Sequence, residues 1–302
     1  MDTAPHTAAA IDAATAVGPV ALTVRDRARV AAWYRDVLGM VPLAEDGRAV
    51  VLGAADGTPL VTLVGAPDAP LAGRRAPGLY HVAILLPARA DLGRWLRHTA
   101  AVGARLQGAS DHLVSEATYL ADPEGNGIEV YRDRPRAEWP RRDGRIHMDN
   151  SPFDIAGVLA DGDAVGRRFD GLPAGTVVGH VHLKVADVAA TRRFYVDTLG
   201  FEATEEGYPS ALFVAAGGYH HHFGLNAWES AGGTRVAGAT GLRHATVTMA
   251  PAARAAHAAR LAAAGLGADA GPATAAVDPS GNRLLFVDRP IDAATALALA
   301  DA

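Results

Sequence analysis

The chain reads as an α+β protein built from one strand-helix-strand module used repeatedly, and three observations predict this. Residues 17–40, VGPVALTVRDRARVAAWYRDVLGM, are echoed without a gap through 24 positions by residues 178–201, VGHVHLKVADVAATRRFYVDTLGF. A second pair of echoes starts at GLYHVAILLP, from Gly78, and GLRHATVTMAP, from Gly241, each leading into an Ala-rich helical stretch. Two closing pieces, DPEGNGIEVYRDRP from Asp122 and DPSGNRLLFVDRP from Asp278, put Asp-Pro and Gly-Asn turn chemistry ahead of an apolar strand. Self-similarity of this kind marks a unit that buries its apolar face only against its neighbours.

In the first pair of echoes an alternating strand leads to Asp26 or Asp187, a helix N-cap, and the helix closes on Leu-Gly, with Gly as its stop. Modules therefore begin near Val17, Gly78, Val178 and Gly241. They fall into two sequential pairs, 17–132 (17–70 and 78–132) and 178–290 (178–230 and 241–290). Residues 133–177, rich in Arg, Asp, Gly and Pro, form a linker with a short helix in DIAGVLADGDAVGRRF. Its Trp139, His147 and Met148 are read as packing onto a module rather than as a lid. Residues 1–16 are expected to be a flexible leader and 291–302 a C-terminal tail.

About half of the 302 residues are apolar, enough for a substantial core. The net charge of −5, from 28 basic and 33 acidic residues that are interspersed, provides no basic stripe and argues against nucleic acid as a partner. Lys184 is the only lysine, which confines Schiff-base chemistry to that position. The absence of cysteine removes disulfides, thiolate ligands and a Cys nucleophile. No basic-then-apolar leader and no apolar run of about 18 residues is present, so a cytoplasmic protein with no membrane partner is expected.

Strand alternation sorts the polar residues. In HVHLKV, Val181, Leu183 and Val185 form a face to bury, leaving His180, His182 and Lys184 on the other. In HVAILL, His81 takes the position that His180 takes in the third module, and in GIEVY Glu129 points away from Ile128 and Val130. Alternation through YHHHFGLNAW assigns His222, Gly224 and Asn226 to the cleft and His221 to the opposite face, with His220 and His221 as support. His98 and His257 fall on helix surfaces. Two His and a carboxylate on facing strands form a facial triad that suits Fe(II) with positions open for substrate and O2, and Mn(II) accepts the same donors. Zinc sites also use this set.

With these residues in hand, the chain resembles the vicinal oxygen chelate superfamily, which includes glyoxalase I, bleomycin-resistance proteins and type I extradiol (catechol 2,3-) dioxygenases. The resemblance rests on the Leu-Gly helix ends and the DPxGN closing turns. It implies four tandem βαβββ modules forming two open β-barrel-like mixed sheets with helices outside. The extradiol group is favoured by DHLVSEATYLADPEGNGIEVY, whose His112, Ser115, Tyr119 and Glu129 match that group's ordered pattern, and by HHHFGLN, which would give His222 the acid-base role. Such enzymes generally take their ligands from modules three and four, but here module four offers His244 and then Leu285, and module one has Pro19 in place of the His. Only modules two and three complete the set, with metal ligands His81, Glu129 and His180 and catalytic His222, Tyr119 and His112. They would share a barrel within one chain or across a homo-oligomer contact. The resemblance then implies an Fe(II)-dependent dioxygenase acting on a small aromatic diol and O2, with His182 and Asn226 orienting substrate or ligands. The alternatives within the fold are a glyoxalase-like metal lyase or isomerase and a metal-free drug-binding protein.

Overall fold

The echoes emerge as four βαβββ modules in the computed structural model, which describes residues 10–301. Module one holds β1 (Ala16–Val24), α1 (Arg27–Trp33), β2 (Val41–Glu45), β3 (Ala49–Gly53) and β4 (Pro59–Gly65). Module two holds β5 (Gly78–Leu85), α2 (Arg89–Ala101), β6 (Gly108–Asp111), β7 (Ser115–Ala121) and β8 (Gly127–Asp133). Between the halves lie a small ribbon, β9 (Arg141–Arg142) and β10 (Arg145–Ile146), and α3 (Ile155–Ala164). Module three holds β11 (Val177–Lys184), α4 (Val188–Arg192), β12 (Glu202–Glu205), β13 (Ala211–Ala215) and β14 (Phe223–Asn226). Module four holds β15 (Gly241–Thr248), α5 (Pro251–Ala263), β16 (Gly267–Ala270), β17 (Ala273–Val277) and β18 (Arg283–Val287), and α6 (Ala293–Ala298) follows.

The modules pair crosswise into two curled eight-stranded sheets. One runs β12-β13-β14-β11-β5-β8-β7-β6 and unites modules three and two; the other runs β16-β17-β18-β15-β1-β4-β3-β2 and unites four and one. At each centre two opening strands meet antiparallel, β5 with β11 and β1 with β15. Each opening strand also pairs in parallel with the last strand of its own module, so both sheets are mixed.

Local chemistry explains why the same words recur. Asp26 and Asp187 accept from the backbone N–H groups of Arg29 (3.0 Å) and Ala190 (2.9 Å), capping α1 and α4. Each helix then widens into a π-turn and stops at Gly39 (φ 76°) or Gly200 (φ 87°). Gly39 also needs to lack a side chain, because a Cβ there would lie 2.5 Å from the Phe169 ring. In the closing turns Asp122 and Asp278 accept from the backbone N–H of Asn126 (2.9 Å) and Asn282 (2.8 Å). Those turns also tie sequential modules together. The Glu124 carboxylate accepts from Arg25 N (2.8 Å) and Asp26 N (2.7 Å), and Ser280 Oγ accepts from Ala186 N (2.9 Å).

Each sheet turns one face into a shared core, where Leu22, Val82, Ile84, Val181, Leu183 and Val247 meet Tyr34, Trp95 and Tyr195 from the helices. The other faces have unlike fates. On the sheet of modules one and four, Ala296 and Leu299, in and just after α6, pack onto Val51, Ala275, Leu285 and Val287. On the sheet of modules two and three, Trp139, Ile146 and Met148 cover Val114, Phe213 and Tyr219, and Ala83, Ala117 and Tyr131 form a second buried patch.

Several expectations change here. Residues 1–9 of the expected leader lie outside the described residues, but Ile11 is buried and its N–H donates to Gly200 O (2.9 Å), so the chain is docked from there onward. The expected tail forms α6. The linker helix is shorter than its sequence segment, capped by Asp154, and docks on α2 so closely that a Cβ on Gly93 would sit 2.1 Å from Val158 O. Arg89 fastens it by bonding Glu116 (2.7 Å), Asp154 (3.0 Å) and Asp161 (2.8 Å). His257 is buried against Phe286 rather than on a helix surface, because α5 turns that side toward β18. Among the described residues no helix is long and apolar enough to cross a membrane.

Candidate metal centre and cavity

Register explains how three distant residues meet. Glu129 on β8 stands beside Ala83 on β5, and Ala83 stands beside His180 on β11, so the carboxylate and the imidazole flank a methyl group small enough to leave space between them. His81 lies two residues before Ala83, on the same face. One ligand atom from each of His81, Glu129 and His180 lies within 4.8 Å of the others, and all three residues are buried. His81 Nε2 is 2.9 Å and His180 Nε2 3.2 Å from the same Glu129 oxygen. All three donors come from one chain.

The electrostatics fit a divalent cation. Burial alone would raise the Glu129 carboxyl, but His180 and His81 outweigh it and hold the group well below the usual carboxylate range. Burial lowers the His180 imidazole, with Glu129 opposing. An ionised carboxylate beside a neutral imidazole is the state a cation requires. His81 Nε2, though close to the carboxylate, is not aligned for a hydrogen bond, and His180 Nδ1 has no partner among the described residues. Buried polar atoms left this way are costly unless something satisfies them, and a metal at the convergence point would satisfy His81 Nε2.

This cluster borders a cavity of about 680 Å³ lined by residues from both modules and by Met148 and Asn150 of the linker. His112 and Tyr119 both line it and are bonded to each other, Nε2 to OH at 2.6 Å. Burial, and then the Glu129 charge, push the Tyr119 phenol well above its usual value, so it keeps its proton. Burial chiefly lowers His112. His182 stands opposite His81 and is held by Asn226, whose amide donates to Nε2 at 3.0 Å. Its ring occupies the space that a Cβ on Gly224 would need, 2.8 Å away.

The assignment of faces at the triple histidine is reversed. His221 lines the cavity, its ring 4.1 Å from that of His180. His222 is absent from the lining, stacks on Tyr219 (4.9 Å) and accepts at Nδ1 from Ala216 N–H (3.1 Å). Alternation fails because β14 starts only at Phe223, after a turn that carries left-handed Gly217 (φ 60°) and Gly218 (φ 68°). Behind His221 lies a chain of contacts: its Nδ1 is 2.9 Å from His220 Nδ1, and His220 Nε2 is 2.9 Å from Asp133 Oδ1. With the carboxylate accepting from Nε2–H, His220 Nδ1 accepts from His221, which leaves His221 Nε2 as a proton acceptor. The reading by alternation also missed Tyr80, Trp228 and Tyr208, which line the cavity. No sequence signal marks them beyond adjacency to the His-bearing strands. His244 is buried in the other sheet, beside Ala21.

Comparison with known proteins agrees with this architecture. Residues 16–130 and 177–286 match the family model described as Glyoxalase/Bleomycin resistance protein/Dioxygenase superfamily. The catechol-2,3-dioxygenase of Bacillus subtilis (strain 168) is 42% identical over 243 residues, 78% of this chain and 83% of that protein. Among solved structures, a candidate dioxygenase from Bacillus subtilis subsp. subtilis str. 168 superposes with a TM-score of 0.61 at 12% identity, over 95% of this chain and 88% of that one. Glyoxalase I from Zea mays superposes with a TM-score of 0.54 at 15% identity, over 91% and 92%. The two structures speak to the fold alone, whereas the family model and the catechol-2,3-dioxygenase span most of the sequence. The chain therefore belongs to the glyoxalase/bleomycin resistance protein/dioxygenase superfamily.

Proposed function

We propose that the protein is an Fe(II)-dependent extradiol dioxygenase that opens the ring of a catechol-class diol with O2. The observation that carries this reading is the convergence of His81, Glu129 and His180 at the edge of a cavity that His81 and Glu129 line together with a hydrogen-bonded His112–Tyr119 pair. The 42% likeness to a protein named catechol-2,3-dioxygenase supports it. A glyoxalase-like reading would want a carboxylate from the last strand of module three, and β14, Phe223–Asn226, has none.

His81, Glu129 and His180 would hold the ion, which supplies Lewis acidity and open positions where a diol and O2 are brought together. The rest falls to the side chains. Tyr119, kept protonated, donates a hydrogen bond to a substrate oxygen, and His112 fixes its phenol. His221 accepts a hydroxyl proton at Nε2 as the diol binds and returns it to the product, a task suited to an imidazole whose other nitrogen is engaged. His220 and Asp133 hold it in that tautomer. Phe213, Val114 and Met148 exclude water from their side of the chamber.

The test pairs elemental analysis with oxygen uptake. Glu129→Gln and His180→Ala are expected to lose iron on dialysis and with it O2 consumption and yellow ring-opened product from catechols, while His244→Ala keeps its iron. An iron-replete His180→Ala beside an iron-free His244→Ala would sink the ligand assignment. An iron-loaded wild type that consumes no O2 with any catechol would sink the activity.

A further inference from the structure

We propose that the outer half of the cavity is a subsite for a ring substituent that is apolar along its length and anionic at its tip. On the catechol reading above, on which this inference rests, the preferred diol carries a carboxylated aryl arm. A volume of about 680 Å³ falls in the range that holds drug-sized ligands, and a single-ring diol fills only a fraction of it. The surplus space has a definite chemistry.

Its rim is aromatic. Tyr80 is 37% and Trp228 47% exposed, although side chains of this size are usually withdrawn from water. The two rings meet edge to face at 5.6 Å, and both pack against His182, at 5.0 and 5.6 Å. The indole is anchored from two directions. Its Nε1 donates to Pro209 O (2.9 Å), and Trp228 N donates to Asn226 Oδ1 (3.2 Å), the residue that also holds His182. A fixed aromatic platform at a cavity mouth, connected to the metal-side histidines, is suited to stacking a second ring.

Beyond the platform stands the only lysine of the chain. Lys184 shares a face of β11 with His180 and His182; it stands two residues past His182, which is opposite His81, and four past His180, so it lies roughly 7 Å along the strand from the near edge of the cluster and roughly 13 Å from the far one. It lines both this cavity and an adjoining one of about 360 Å³. Its ammonium donates to Arg74 O (3.2 Å), which leaves two N–H donors, and it pairs with no carboxylate among the described residues. Glu229 lines both cavities and its charge reaches Lys184, but it is bonded by Arg74 at 2.8 Å, and Glu124 takes the backbone N–H groups of Arg25 and Asp26 at 2.8 and 2.7 Å. The distance and the unpaired cation together describe an arm the length of a second ring ending in a carboxylate.

The test uses the iron-loaded enzyme and three diols: catechol, a phenyl-substituted catechol, and the same compound carrying a carboxylate on the second ring. KM is measured aerobically and binding by calorimetry under argon. KM is expected to fall along this series, by about tenfold at the final step for a charge-assisted contact. Lys184→Met is expected to remove that last step and Lys184→Arg to restore part of it, while Trp228→Ala removes the advantage of the second ring. Equal KM across the series, or a Lys184→Met effect of the same size on charged and uncharged arms, overturns the subsite. If the anaerobic affinities follow the series but no diol consumes O2, the subsite stands and the ring-cleavage reading fails.

Discussion

His221 borders the cavity and leans through His220 on Asp133, whereas the ring of His222, one residue further along, is enclosed by Tyr219 and the Ala216 backbone. Burial first, and then neighbouring histidines, push both imidazoles down, His222 to about 3 and His221 well below its usual value, so both rest neutral and only the access of His221 to the cavity sets them apart. For His221→Phe we expect retained iron with turnover slowed by about a hundredfold or more, in the range of lost general acid-base catalysis. Iron content and single-turnover rates check this, and an unchanged rate removes His221 from proton transfer. The three candidate ligands were legible in the sequence because each lies within a strand where local alternation holds, although the pairing of β11 with β5 shifts register on either side of His180 and His182. The triple histidine was not, because a turn with two left-handed glycines shifts the phase just before it. A two-state pattern cannot be carried backward through such a turn.

Among the elements, the caps and closing turns could be read directly, since Asp-to-amide bonds and glycine stops are local chemistry. The helix α6 could not. Its sequence, AATALA, is nearly all apolar and shows no amphipathic period, so its destination depends on a sheet face assembled from modules one and four. The linker is similar: Trp139 and Met148 read as packing residues, yet only the fold shows that the face they cover belongs to the candidate site. Leu299, 2% exposed, anchors the end of α6 against that other sheet. Leu299→Ala is expected to cost about 2–5 kcal/mol of stability, the range for emptying a buried Leu site. It should leave iron binding intact, because α6 and the ligand cluster lie on different sheets. Denaturant unfolding beside metal analysis decides this, and a loss of iron without a loss of stability would contradict it.

Across the whole molecule, acid should act through histidines enclosed as neutral groups. His244, remote from the cavity, is pushed down to about 3, chiefly by burial and further by Arg243 and Arg283. Its folded-state value lies below the ordinary 6.5, so the unfolded chain binds more protons between the two. The stability it contributes is complete above about pH 6.5 and is lost as pH falls toward 3. For His244→Gln we expect a shallower decline of stability with pH across that window, measured by circular dichroism during denaturant titration at several pH values. An unaltered slope counts against it. The crosswise union of the sheets was legible only through the site, because completing two His and a carboxylate required modules two and three to be neighbours. Nothing in the local patterning of the strands states which module meets which.

That crossing also bears on how the protein comes into being. A nascent chain that has emerged from the ribosome through Asp133 already carries His81 and Glu129, yet β5 still has one bare edge until β11 has been synthesised. The other sheet waits longer still, since β1 finds β15 only after more than 200 further residues have been made. Both β1 and β5 thus keep an unpaired edge until their partners in the later half have been made. With its ligands drawn from modules two and three, the proposed centre can capture iron only once those two modules have met.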